Sequence, residues 1–230
     1  MAMFHPIVHA PLSLRVFAHL LSYPDIEMRA HLGELRAALH TEKALSAQRL
    51  AELDALMQNL ERGDLLELQS EYVDLFDRGR ATALHLFEHV HGDSRDRGPA
   101  MIDLAQTYEK ANLFLAPDEL PDYLPVVLQF ASTQPAKEAR AFLSEMAHIF
   151  NAIFNALQGR SSAYASVMGA LLELAGEQAH AVTVKPDEAL DAAWEEPVVF
   201  DGCSSKGQAG ANTPQPIHFV KNATSAGVSL

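Results

Sequence analysis

Apolar residues return at intervals of three and four along the chain as far as about residue 184, and runs of strict apolar–polar alternation are nearly absent. On an α-helix this spacing gathers side chains onto one face, whereas on a strand it would scatter them over both. The pattern predicts an all-α fold, a single-domain helical bundle over residues 1–184. Leu12, Val16, Phe17, Leu20 and Leu21 form the first stripe, stopped by Tyr23-Pro24. Ile26 to Leu39 gives a second helix, and Leu50, Leu53, Leu56, Met57 and Leu60 give a third that ends near Gly63. Asp64 is placed to cap a fourth, with Leu65, Leu68, Tyr72, Leu75 and Phe76 facing inward before Gly79.

Pro99 suits the first turn of a further helix, and a Pro-punctuated stretch from Pro117 to Pro125 leads into an apolar helix through Phe130. The longest periodic run, Pro135 to Leu157, reads as one helix. Ser161 or Ser162 would cap the last, which carries Tyr164, Val167, Met168, Leu171, Leu172 and Ala175. From residue 185 to 230 Pro186, Pro197, Pro214 and Pro216 stand among clustered Gly, Ser and Asn, the composition of a weakly structured, partly disordered tail whose first part is acidic.

Charge narrows the partners. Lys+Arg number 17 against Asp+Glu 30, a net charge of −13. Phosphate backbones and anionic lipid surfaces repel such a chain, so nucleic acid and direct membrane insertion are excluded as first expectations, and cationic segments are favoured. One cysteine, Cys203, leaves no internal disulfide and no Cys-based metal site, which fits a reduced intracellular setting. The apolar N-terminus lacks a basic start and is interrupted by Pro6, Pro11, Arg15 and His19, so a signal peptide is not expected and the default location is the cytoplasm.

Between Arg78 and Gly98 the helical rhythm breaks. Four arginines, Arg78, Arg80, Arg95 and Arg97, crowd twenty residues that also hold Asp77, Glu88, Asp93 and Asp96. A long ordered loop with one helical turn, tied by ion pairs, follows from that composition; such a rigid rim is suited to partner contact. The same stretch contains His85-Leu86-Phe87-Glu88-His89. Were it helical, His85 and His89 would lie one turn apart and chelate zinc, with Glu88 poising a water for hydrolysis. The nearby Gly92 and the lack of an obvious third ligand weigh against that alternative.

Four blocks then carry a resemblance. Ser70 to Thr82 reads SEYVDLFDRGRAT, and Leu86 to Gly98 reads LFEHVHGDSRDRG. Glu119 to Pro125 reads ELPDYLP, and Ala189 to Glu196 reads ALDAAWEE, followed by an apolar patch and Gly202-Cys203. In content and order these resemble the respiratory nitrate reductase delta subunit family, molybdenum-cofactor assembly chaperones within the redox-enzyme maturation class. Its pattern centres on L-F-E-H-V-H-G and does not require His85, which further weakens the zinc alternative.

The resemblance implies an all-helical, non-enzymatic cytoplasmic chaperone. It would bind the N-terminal segment of the nitrate reductase catalytic alpha subunit and hold it competent for insertion of molybdenum cofactor and iron–sulfur cluster before membrane docking. Proteins that deliver the molybdenum cofactor fit as further partners. No catalytic residue, resident cofactor or metal is expected. On this reading Tyr72, Leu75, Phe76 and Phe87 line a peptide groove, and Arg80, Glu88, His89 and Arg95 form its polar rim. Pro121, Asp122 and Tyr123 shape a hinge beside it.

Overall fold

A computed structural model describes residues 9–91, 94–117 and 119–182. The chain divides into a unit of residues 1–187 and one of 188–230; the expected tail and its ALDAAWEE block lie outside the described residues.

The chain opens with an antiparallel pair, α1 (Pro11–Leu20) and α2 (Ile26–Glu42). Pro11 sits where its missing N–H costs nothing, and the start of α1 is capped from the far end of α2. There the Glu42 carboxylate accepts from the Leu12 and Ser13 amides at 2.9 and 2.7 Å, and from the fully buried Ser13 hydroxyl. A carboxylate at a helix N-terminus is favourable in charge as well as in hydrogen bonding. Asp25 caps α2 through the Met28 amide, Ser46 caps α3 (Ala47–Arg62), and Asp64 caps α4 (Leu65–Tyr72), the last as its sequence position predicts.

Beyond α4 the hydrogen-bond ladder widens into a π-helical turn, Val73–Asp77, followed by a 3₁₀ turn, Arg80–Thr82, and a short helix α5 (Leu86–Val90). The stretch predicted as one loop is therefore half helical in short pieces. α6 (Arg97–Lys110) begins two residues before Pro99, which is tolerated because the first-turn N–H groups have no partner within the helix.

Next come α7 (Leu124–Thr133), α8 (Ala136–Glu145), α9 (Ala147–Gly159) and α10 (Ala165–Ala175). The run expected as one helix from Pro135 to Leu157 is two. At Met146, with φ −94° and ψ 0°, the ladder stops and restarts, its carbonyl accepting from both Ile149 and Phe150. That conformation barely rotates the side-chain phase, so the periodicity runs through the break unmarked. Neither expected serine sits at the cap position of α10, which Tyr164 occupies; the Ser162 hydroxyl, two residues earlier, accepts from the Tyr164 amide instead.

Nine of α10's residues are buried, including Val167, Met168, Leu171 and Leu172, so it is apolar nearly all round, as befits a helix enclosed by others. Packing α3, α8 and α9 against it buries Leu53, Met57, Leu143, Phe150, Ile153 and Leu157. Each such side chain contributes about 1.5–3 kcal/mol of burial. α1 packs on α7, and a smaller satellite core of Tyr108, Val126 and Phe130 joins α6 to α7. Arg140 is half-buried against Gly176 and donates from Nε to the Ala175 carbonyl, closing the end of α10. His148 is exposed although its chain neighbours Ala147 and Ile149 are buried.

Candidate functional site

Three of the four resemblance blocks meet at one corner. The π turn places Phe76 and Asp77 beside the 3₁₀ turn, and the extended residues after it pair with the segment 122–124. The Leu86 amide donates to the Asp122 carbonyl at 3.0 Å and the Leu124 amide to the Leu84 carbonyl at 2.9 Å, an isolated antiparallel bridge centred on His85 and Tyr123. π turns recur at functional positions because they leave main-chain groups to be satisfied by other means. Here Thr82, fully buried, donates its hydroxyl to the Leu75 carbonyl. Gly79 completes the fit, since a Cβ there would collide with the Leu75 carbonyl oxygen and the Thr82 hydroxyl.

Asp122 is the hub. Its side chain is 0% exposed, yet Oδ2 accepts from the Phe87 amide at 3.2 Å. Oδ1 lies 3.4 Å from His85 Nδ1, and the Arg97 guanidinium approaches Oδ2 at 3.8 Å and Glu88 at 3.5 Å. A buried carboxylate needs such partners to offset its desolvation. The hydrogen bond to Asp122 raises the His85 pKa above the ordinary imidazole value, against burial, which acts in the opposite direction. His85 also stacks on Tyr123, ring centroids 5.3 Å apart.

A second polar knot fastens this corner to α1. The Tyr72 hydroxyl donates to the Leu21 carbonyl at 2.7 Å and lies 3.3 Å from the Tyr123 hydroxyl. Tyr72, Phe76 and Tyr164 pack as an aromatic cluster, centroids 4.9 to 6.4 Å apart. Burial pushes the Tyr72, Tyr123 and Tyr164 phenols above their ordinary range, so all three stay protonated.

The sequence-chosen residues thus fall into two groups. Tyr72, Leu75 and Phe76 were expected to line a groove; they are 4%, 6% and 5% exposed and belong to the main core, because the π turn rolls that face of the chain inward. Only Phe76 also borders an open concavity of about 440 Å³, shared with Asp77, Arg78, Gly79, Arg80, Ala83, His85 and Glu88. Arg80 is exposed on its rim, and Glu88 is half-buried and paired with Arg97. His89 turns away from the rim, its Nε2 within 2.8 Å of the Ala83 carbonyl. Phe87 is half-buried against His91, and Arg95 is exposed before α6. Pro121 is buried, its carbonyl accepting from the Tyr108 hydroxyl.

The expected arginine network is present in altered form. Arg78 pairs with Asp74 at 2.8 Å and Arg97 with Glu88 and Asp122, so two of the acidic partners lie outside the set named from the sequence. The zinc alternative loses its premise. His85 is the extended residue before α5, so it does not share a helical face with His89, and the two imidazoles address Asp122 and Ala83. Among the described residues no group of three His, Cys, Asp or Glu is placed to hold a metal ion.

Sequence reasoning passed over a second concave region along α1. One hollow, about 450 Å³, is bordered by Arg15, His19, Leu113, Phe114, Leu115 and Phe130 among others; another, about 480 Å³, by His19, Tyr23, Glu27, Met28, His31 and Glu34. A signal was available. Leu113-Phe114-Leu115 is an apolar triplet outside any helix, set between Asn112, at φ 59°, and Pro117, and Phe114 is 78% exposed.

In fold, the bundle is similar to a crystal structure of a candidate redox enzyme maturation protein from Archaeoglobus fulgidus. The TM-score is 0.52 at 23% identity, covering 76% of this chain and 99% of that one. The chain belongs to the nitrate reductase delta subunit family, whose model matches residues 25–170. It is 40% identical over 195 residues to the nitrate reductase molybdenum cofactor assembly chaperone NarJ of Escherichia coli, spanning 80% of this chain and 83% of that protein. It is also 37% identical over 153 residues to the nitrate reductase-like protein NarX of Mycobacterium tuberculosis, covering 66% of this chain and 22% of that longer one.

Proposed function

We propose that this chain is an assembly chaperone dedicated to a nitrate reductase. It binds the N-terminal segment of the catalytic alpha subunit in the cytoplasm and keeps that subunit open for insertion of molybdenum cofactor and iron–sulfur cluster before the complex docks at the membrane. The observation that carries the reading is the 40% identity to a named chaperone of this type across 80% of the chain. Physical features agree with it. A net charge of −13 favours a basic leader segment, and among the described residues no helix is long and apolar enough to cross a membrane. The fold offers open concave surfaces on a helical scaffold, the setting in which an amphipathic peptide buries its apolar face.

In this scheme hydrophobic burial holds the peptide, while surface carboxylates speed and orient encounter. Raising salt therefore slows association and leaves dissociation nearly unchanged. The decisive experiment titrates the full chain with a synthetic peptide of the alpha subunit's N-terminus by isothermal calorimetry. Saturable micromolar or tighter binding is expected, together with absence of the chain from the purified mature reductase. No heat over that concentration range, or stoichiometric retention in the mature enzyme, contradicts the proposal.

A further inference from the structure

The motif corner is poorly furnished as a peptide receptor. Its concavity mixes Asp77, Arg78, Arg80, His85 and Glu88, and its apolar contributors, Phe76 and Ala83, are each only 5% exposed. A peptide laid there would find almost no apolar surface to cover, and burial of such surface is the main source of affinity for amphipathic segments.

The region along α1 is furnished differently. Ser13, Leu14, Val16, Phe17, Ala18 and Leu20 are buried, which leaves Leu12, Arg15 and His19 as an outward stripe that continues into the exposed Tyr23. His19 borders both hollows, so they lie side by side along this stripe. The floor follows α1 from Arg15 to His19, and Tyr23 extends it beyond the helix end. α7, residues 113–115 and Glu119 wall one end, and the start of α2 walls the other.

The two ends differ in chemistry. At the first, Phe114 is 78% exposed beside Leu113, Leu115 and Phe130, Arg15 is tethered by its Nε to the Ser132 hydroxyl at 3.2 Å, and the bordering carboxylate, Glu119, accepts from the Ala116 amide at 3.1 Å. At the second, exposed Glu27 and Glu34 flank Tyr23, and the basic groups bordering that hollow are His19 and His31, the latter 3.4 Å from Glu34.

We infer that this groove, and not the motif corner, receives the peptide, and that it selects a helical segment basic at one end with two or three large apolar side chains at the other. Lys or Arg residues of the segment face Glu27 and Glu34, and its apolar face covers Phe114 and Phe130. The inference rests on the chaperone reading above and assigns it a location. Charge complementarity favours this occupant over a second copy of the chain, whose acidic surface would be repelled at the Glu27–Glu34 end.

The test uses the full chain and the alpha-subunit N-terminal peptide, with affinity read by calorimetry at low and high salt. Phe114 and Glu27 are solvent-facing, so their replacement spares the fold, which circular dichroism verifies. Phe114→Ser is expected to weaken binding tenfold or more at either salt concentration. The double change Glu27→Lys with Glu34→Lys is expected to weaken it about tenfold at low salt, with the difference shrinking at high salt. Lys137→Ala on α8 serves as the neutral control. If wild type binds but both groove variants bind equally well, or if Arg80→Ala abolishes binding while Phe114→Ser does not, the groove assignment is overturned and the chaperone reading stands. If wild type does not bind the peptide at all, both fall.

Discussion

The corner where residues 73–97 meet 121–124 and the groove along α1 are both concave, yet they are built on opposite plans. The corner is stitched by polar groups that already have partners. A carboxylate serves an amide, an imidazole and a guanidinium, a threonine hydroxyl serves the π turn, and a tyrosine serves the end of α1. In the groove Phe114 and Tyr23 stand in solvent, and Glu27 and Glu34 are exposed at one end. Dense motifs in this chain therefore mark where the backbone must be held in an unusual path, and the uncommitted surface lies elsewhere.

That contrast makes graded predictions. Phe76→Ala should be the most damaging, removing a buried ring from the aromatic cluster at a cost of about 3–5 kcal/mol in urea unfolding. A small loss would mean that Phe76 belongs to an open surface. Asp122→Ala should cost about 2–3 kcal/mol, because it strands the Phe87 amide and leaves Arg97 short of a partner, whereas Asp122→Asn should recover part of the loss. Gly79→Ala should cost about 1–3 kcal/mol through overpacking against main chain, with peptide affinity unchanged in the fraction that folds.

The smallest effect is one of pH. Because the folded His85 pKa is raised, its bond to Asp122 contributes fully below the ordinary value of 6.5 and fades as pH climbs through the raised folded value. The urea midpoint of wild type should exceed that of His85→Gln most at low pH, and the gap should close on the alkaline side. A gap that widens with pH would show that His85 acts as a neutral packing group.

Helix existence was legible because the buried faces repeat at helical spacing, and Asp64 declared the start of α4 by its chemistry. What stayed hidden was whatever left the phase unchanged or depended on distant residues. Met146 interrupts a helix without turning its face, and Glu42 caps α1 through an amide 30 residues earlier. The site was legible as a set of residues but not as an orientation. Tyr72, Leu75 and Phe76 read correctly as inward-facing from their period, yet the motif around them suggested a groove. Arg140 closes the end of α10 from 35 residues away, which no local pattern announces.

The Leu21 carbonyl has a bearing on the order of assembly. It receives Tyr72 from 51 residues away and stands 3.5 Å from the Tyr123 hydroxyl, 102 residues on, while α9 and α10 pack as chain neighbours. Contacts between neighbours close early, and those spanning long loops close late. The α8–α10 portion is thus expected to form first, with the tyrosine knot closing after the folding transition state. Tyr123→Phe should then accelerate unfolding and leave the folding rate nearly untouched. Because Leu21 ends α1 and Tyr23 lies just beyond it, the receptor groove would be finished only when the last long-range closure is made, so a nascent chain would not engage its client before its own fold is complete.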